Sequence, residues 1–383
     1  MISSDVRHAI ARAMADEGLG PADPGLRPTG TPGQYASSVA FASGEQPRPL
    51  ATRVAARLEG AGDIARAEVT GPGFITVTVT PEALAALPGR IVAAGDACAA
   101  SVVMRGALIP APPAGDPLAE ASWEKARAAL APQLTARLAA AAGATAALPE
   151  GAERTVSSPP QQQLAPGGAA TAGYAAKTAE PGASLPSRET GGYGGFPPGM
   201  GPDSGPAGWR PSPSGANPVA RAVAYAGADA VRFSLARAVP GRPVGIDRQI
   251  IARHVLGNPA YAVRYAHARA ASGVRWAANS RPTILGRPAV PRHPLAHQAE
   301  LVLLDALSWL PERVAVAARR GRPDEFARYL EELASATVAA LICVGYPANA
   351  RVPGTDRLSM AKAARTGLAA GLGLLGVGAP DRL

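Results

Sequence analysis

Thiols are nearly absent from this chain. Cys98 and Cys343 are its only cysteines, far apart within 383 residues. That argues against a disulfide framework and against a cysteine-based zinc site. Aromatic residues are scarce too, at 4%. No uncharged apolar run reaches membrane-spanning length, and LASATVAALICVGYPANA comes nearest. The first residues, MISSDVRHAIARAMADEG, carry charges every few positions and no apolar core, so they do not read as a secretory signal. The patterns G-x-S-x-G, G-x-x-x-x-G-K-[ST] and H-E-x-x-H do not occur. The expectation is a soluble cytoplasmic protein with no membrane partner, no metal and no cofactor.

What is abundant is positive charge, together with glycine and proline. Lys and Arg number 38 against 29 Asp and Glu, a formal net charge of +9. Such a balance suits nucleic acid, an anionic surface or another acidic partner. A genome that favours Arg codons gives the same total, so charge alone leaves both readings open. The 43 glycines and 39 prolines cluster, which points to folded parts joined by a stretch that does not fold.

The N-terminal hundred residues read as a small α+β domain, 1–100. Val6, Ile10 and Met14 fall at helical spacing. In QYASSVAF, Tyr35, Ser37, Val39 and Phe41 share one face if the chain is extended. Leu50, Val54 and Leu58 mark a second helix, with Arg53 and Arg57 on its flank. After Gly71-Pro72-Gly73, Ile75, Val77 and Val79 alternate with threonines, as a half-buried strand requires. The order is helix, strand, helix, strand, then a helix from Pro81.

Residues 101–147 form an Ala-rich helical segment, interrupted at Pro132, read as one kinked helix or two short ones. From 148 to 215, Pro, Gly and Ser dominate and aliphatic residues almost vanish. Such a stretch cannot bury enough apolar surface to offset its ordering entropy, so a disordered linker is expected. From 216 to 383 helical periodicity returns without a strand pattern, giving an all-α bundle of five or six helices. Phe326, Leu330, Leu333, Thr337 and Leu341 form its plainest stripe.

Three patterns imitate active sites. GLGLLG at 371–376 has the letters of a dinucleotide loop but follows a helical pattern, with only seven residues after it. A glycine-dotted helix packed closely on its neighbours explains it better. His293 and His297 are four apart but have no third metal ligand placed by the sequence. RLSMAK at 357–362 has a weak likeness to a K-M-S-K-S nucleotide loop, and helix-start chemistry accounts for it.

The segment NPAYAVRYAHAR, 258–269, resembles N-P-x-Y-Y-V-Q-Y-A-H-A-R of arginyl-tRNA synthetases. Ala262 and Arg264 depart from that pattern. GADAVRFSL, 227–235, and the terminal LGLLGVGAPDRL match two further family segments in the same order, the latter ending in Leu383 where the family often has Met. In the N-terminal part, GQYASSVAF (with Gln34 and Ser38 departing) and VTGPGFITVTV resemble the family's G-D-Y-A-T/S-N-V-A-L and V-A-G-P-G-F-I-N-F. The resemblance implies a small domain that rests on the outer corner of tRNA near the D-loop, and a DALR-type helical domain at 216–383 that holds the anticodon loop. It does not extend to the catalytic domain between them. The five histidines occur as RHA, RHV, AHA, RHP and AHQ, so the family's H-x-G-H is missing, and so is K-M-S-K-S.

Within this frame Asn258 reads as an N-cap and Pro259 as the first helical residue. Tyr261, Tyr265 and Arg269 then lie at i, i+4, i+8. Arg264 and Arg275 run along a neighbouring stripe, with Trp276 one step off. Aromatic rings and guanidinium groups at helical spacing suit unpaired bases and phosphates. The two tyrosines could equally pack inside the bundle, and His267, among small alanines, could be a hydrogen-bonded structural residue. Arg264 and Arg275 are expected at the surface. Gln34, Tyr35 and Arg53 are the N-terminal candidates for RNA backbone contact.

The expectation is a non-catalytic paralogue of arginyl-tRNA synthetase that binds tRNA, or a tRNA-like RNA, with its two modules tethered by the linker. One alternative is an interaction protein that regulates a full-length synthetase or a biosynthetic complex. Another is an arginine–tRNA ligase by family only, with any residual aminoacyl transfer aided by a partner. Ala262 removes an aromatic and Arg264 adds a charge, so Arg264→Gln is expected to reduce the salt dependence of binding.

Overall fold

The computed structural model describes residues 2–20, 23–42, 46–147, 217–279, 298–343 and 355–383. The expected linker at 148–215 lies outside the described residues, and so do His293 and His297.

The chain opens with α1 (Ile2–Asp16), β1 (Arg27–Pro28), β2 (Gln34–Ser37), α2 (Pro47–Leu58), β3 (Ile64–Thr70), β4 (Phe74–Val79) and α3 (Pro81–Ala94). The helices form where the sequence places apolar stripes. Val6, Ile10 and Met14 are buried on α1, and Leu50, Val54 and Leu58 on α2. Pro81 starts α3, and the Thr80 side chain caps it by accepting from Ala83 N. The strands form one antiparallel sheet in the order β1-β2-β4-β3. Central β4 turns Ile75, Val77 and Val79 inward, as its alternation requires.

Two strands of this sheet were not legible. β1 has only two residues, and a register shift between Ile64 and Arg66 breaks the alternation of β3. The extended run expected through Phe41 also ends early. Ser37 Oγ accepts from Val39 N at 3.3 Å and donates to Pro24 O. The chain then tightens into a 3-10 turn at Val39–Ala42, which leaves Phe41 outside while Tyr35, Ser37 and Val39 stay buried.

The Ala-rich segment supplies α4 (Trp123–Ala141), and β5 (Leu108–Ile109) pairs in parallel with β6 (Thr145–Ala146). α4 runs through Pro132 as one helix. Its buried Ala126, Leu130, Leu134 and Leu138 recur every four residues.

Eight helices follow among the described residues: α5 (Pro218–Ala226), α6 (Ala228–Arg237), α7 (Arg248–Ile251), α8 (Pro259–Asn279), α9 (Gln298–Ser308), α10 (Leu310–Arg320), α11 (Pro323–Cys343) and α12 (Thr355–Leu374). α4 packs on α6 and α10, so the Ala-rich segment is part of this bundle. Phe326, Leu330, Leu333, Thr337 and Leu341 are all buried on α11. The GLGLLG letters belong to the end of α12. A Cβ at Gly371 would run into Leu330, so that glycine serves close helix packing, as read from the sequence.

The two terminal parts are not separate beads. The residues before 150 and from 216 onward form a single compact unit. Tyr35 Oη lies 2.7 Å from Ser308 Oγ, and Gly33 N donates to Asp305 Oδ1 at 3.1 Å. Arg7 Nε donates to Glu312 Oε1 at 2.7 Å, and Arg7 and Arg319 both pair with Asp23. This corrects the expectation of two modules free to reach apart. The sheet and the bundle share buried side chains.

Candidate nucleic-acid interface

α8 begins where the sequence indicated, at Pro259, with Ala262 N donating to Asn258 O at 2.8 Å. The Asn258 side chain ties down the preceding turn, donating from Nδ2 to Ile251 O at 2.7 Å and Arg253 O at 2.8 Å. It is buried, and it fixes the turn against the helix start.

Tyr261 and Tyr265 are half-buried on one face of α8, with ring centroids 5.8 Å apart and planes 23° from parallel. They are neither core residues nor fully exposed, and their rings form a ladder along the helix. His254, from the turn before the helix, extends it: its ring lies 5.2 Å from Tyr261 at 13°. Nearby, Arg248 stands over the exposed ring of Tyr225, 5.8 Å from its centroid.

The other α8 candidates divide. Arg269 is half-buried, and Trp276 is 38% exposed two turns beyond it. Arg264 is corrected: its guanidinium is half-buried, 3.6 Å from Asp229 at the start of α6. Arg275 is also drawn in, donating to Asp381 O of the C-terminal tail at 2.8 Å. His267 takes the structural alternative. It is buried, with Nδ1 2.9 Å from Pro380 O, and burial lowers its pKa. It faces the tail and has no place in the ladder.

The N-terminal candidates shift as well. Tyr35 has no exposed surface. Its ring lies 5.1 Å from Trp309, and burial pushes its phenol pKa far above the usual value. It cannot present a ring to RNA, because the bundle covers it. Gln34 is half-buried in β2, opposite Thr78. Arg53 is exposed but shares Glu17 with Arg57, at 2.6 and 2.5 Å, and their hydrogen bonds lower the pKa of Glu17.

What this domain does present is Phe41 and Phe74, 43% and 39% exposed, with centroids 4.8 Å apart. The turn carrying Phe74 presses on the start of α2. Gly73 has φ +143°, and a Cβ there would lie 2.8 Å from Pro47 Cβ and 3.1 Å from Arg48 N. Exposed Arg48 therefore stands beside the turn.

Sequence reasoning missed His254 and the phenylalanine pair. One signal was available: from Arg248 to Ala299 the chain has eight arginines and four histidines but no Asp or Glu. That charge pattern suits a polyanion. No group of three or more His, Cys, Asp or Glu among the described residues is placed to hold a metal ion. No helix among them is long and apolar enough to cross a membrane. The Cys98 thiol is buried, and that burial pushes its pKa up to about 12, away from the thiolate form.

Comparison with known proteins gives the same two parts. The family model of the arginyl tRNA synthetase N terminal domain matches residues 1–79, and that of the DALR anticodon binding domain matches residues 263–383. The arginine–tRNA ligase of Kineococcus radiotolerans is 36% identical over 173 residues, covering 42% of this chain and 29% of the ligase. That of Frankia alni is 37% identical over 163 residues, 41% of this chain and 29% of the ligase. The chain thus spans under a third of the length of the curated relatives it matches. The Thermus thermophilus arginyl-tRNA synthetase has a similar fold, with TM-score 0.61 at 16% identity, over 100% of both chains.

Proposed function

For a chain that is an arginyl-tRNA synthetase-related protein, carrying that family's N-terminal domain and its DALR anticodon-binding domain, we propose that it binds tRNA without charging it. The observation that carries the reading is the ring ladder on α8, set in a long stretch free of acidic residues. Rings at this spacing give unpaired bases a stacking surface, and the arginines supply phosphate attraction. α8 would meet the anticodon loop. The Phe41–Phe74 pair, with Arg48 beside it, would meet the outer corner.

The reading of a non-catalytic paralogue rests on the sequence. Adenylation needs groups that hold ATP phosphates and stabilise the charge of the transition state. In the family those come from H-x-G-H and K-M-S-K-S, and neither occurs in the 383 residues.

Filter binding with purified tRNA tests the proposal. tRNA should bind more tightly than random duplex of equal length, and affinity should fall with rising salt. Equal affinity for both would overturn it. Arginine-dependent pyrophosphate exchange by the purified chain should be absent, and measurable exchange would overturn the non-catalytic part alone.

A further inference from the structure

The aromatic face of α8 continues past the helix into the turn before it. His254 is exposed, and Tyr261 lies against one side of its ring, with the planes only 13° apart. Tyr265 extends the same ladder along the helix. The turn that carries His254 is braced from both sides. Buried Asn258 holds Ile251 O and Arg253 O with its side chain, and its backbone N–H donates to Val255 O at 2.9 Å. Arg253 and Val255 are the two neighbours of His254 in the chain. The backbone that carries the imidazole is thereby fixed, and Tyr261 backs one face of the ring, so less ordering entropy remains to be lost on binding.

We propose that His254 is the outermost plane of a three-ring platform, that an unpaired nucleobase stacks on its outer side, and that Asn258 is the positioning residue. The inference rests on the tRNA-binding reading above and names one contact within it. A flat ligand fits because the existing rings are close to parallel, so one more plane continues the order. A nucleotide fits better than an apolar peptide because of charge. Exposed Arg253 adjoins His254, Arg248 stands one turn earlier, and no carboxylate occurs from 248 to 299. Sequence periodicity could not reveal this plane, since His254 precedes the helix whose face it extends.

Fluorescence anisotropy on the full chain tests it, with an RNA hairpin whose loop is unpaired and a fully paired duplex of the same stem. His254→Ala should weaken hairpin binding about fivefold or more, the lower end expected for losing one stacked base. Duplex binding should not change. His254→Phe, which keeps a plane and loses the ring nitrogens, should retain hairpin affinity within about twofold. A 2-aminopurine in the loop should be quenched by the wild type and His254→Phe but not by His254→Ala. The side chain is exposed, so these variants should fold. If His254→Ala binds the hairpin like the wild type while Tyr261→Ala does not, the inference falls and the binding reading stands. If the wild type does not prefer the hairpin to the duplex, the reading falls with it.

Discussion

Tyr35 and Trp309, 274 positions apart, meet with ring centroids 5.1 Å apart, and the Tyr35 hydroxyl lies 2.7 Å from Ser308 Oγ. A tyrosine of the small sheet is therefore a core residue of the helical bundle. Tyr35→Phe should cost about 1 kcal/mol, the net worth of one buried hydrogen bond. Tyr35→Ala should cost about 3–5 kcal/mol through the cavity it leaves. Urea unfolding measures both. A Tyr35→Phe protein of unchanged stability but weaker RNA affinity would return Tyr35 to the binding surface.

Arg7 and Glu312 form the buried ionic counterpart of that contact, with side chains 11% and 3% exposed. Removing one partner strands the other charge. Arg7→Ala should destabilise by about 3 kcal/mol. Adding Glu312→Gln should restore part of the loss, because the second change removes the stranded carboxylate. If the two losses simply add, the pair is not coupled as its geometry implies.

Asp23 gives the interface a pH dependence. Burial raises its pKa, but hydrogen bonds from Arg319 and Arg7 outweigh this and hold it well below the usual carboxylate value. A depressed folded-state pKa stabilises above the unfolded value, near 4, and that stability is lost as pH falls toward the folded one. Stability should decline on acidification below about pH 4. Arg319→Ala should flatten that decline, as followed by urea midpoints across an acid series. An identical slope in the variant would exclude Asp23 as its source.

Gly73 is held by shape rather than charge. Its φ of +143° and the Pro47 backbone 2.9 Å from a would-be Cβ leave no room for a side chain. Gly73→Ala should cost about 1–3 kcal/mol. Gly373, inside α12 with nothing within 4 Å, offers the control. There alanine should gain up to about 1 kcal/mol from helix propensity. Thermal melts of the two variants should therefore shift in opposite directions, and a shift of the same sign would refute the packing of the turn on α2.

Local periodicity made much of the fold legible. Val6, Ile10 and Met14, the alternation from Ile75 to Val79, and the α11 stripe each repeat with the period of their own element. Partnership between distant elements was not legible. Tyr35 and Phe41 both looked like inward residues of one strand. The Ser37 turn sends Phe41 outward, and only the bundle, far along the chain, decides that Tyr35 is covered. The same limit applied to the candidate site. Tyr261 and Tyr265 were visible from helical spacing. The bond of His267 to Pro380 and the pairing of Arg264 with Asp229 arise from packing against other elements.

That pairing changes what salt should do. From the sequence, Arg264 stood as the added surface charge of the motif, and Arg264→Gln was expected to lower the salt dependence of binding. With Asp229 3.6 Å away, the charge is already balanced within the protein. It has less to give to a phosphate, and releasing it would leave Asp229 beside the RNA. Arg253 is exposed and adjoins the ring ladder, so it is the better phosphate partner. Each phosphate contact adds close to one unit to the slope of log affinity against log salt. Arg253→Gln should therefore reduce that slope by about one, while Arg264→Gln should leave it nearly unchanged. Filter binding across a salt series separates the two, and the reverse order would mean that Arg264 leaves Asp229 when RNA binds.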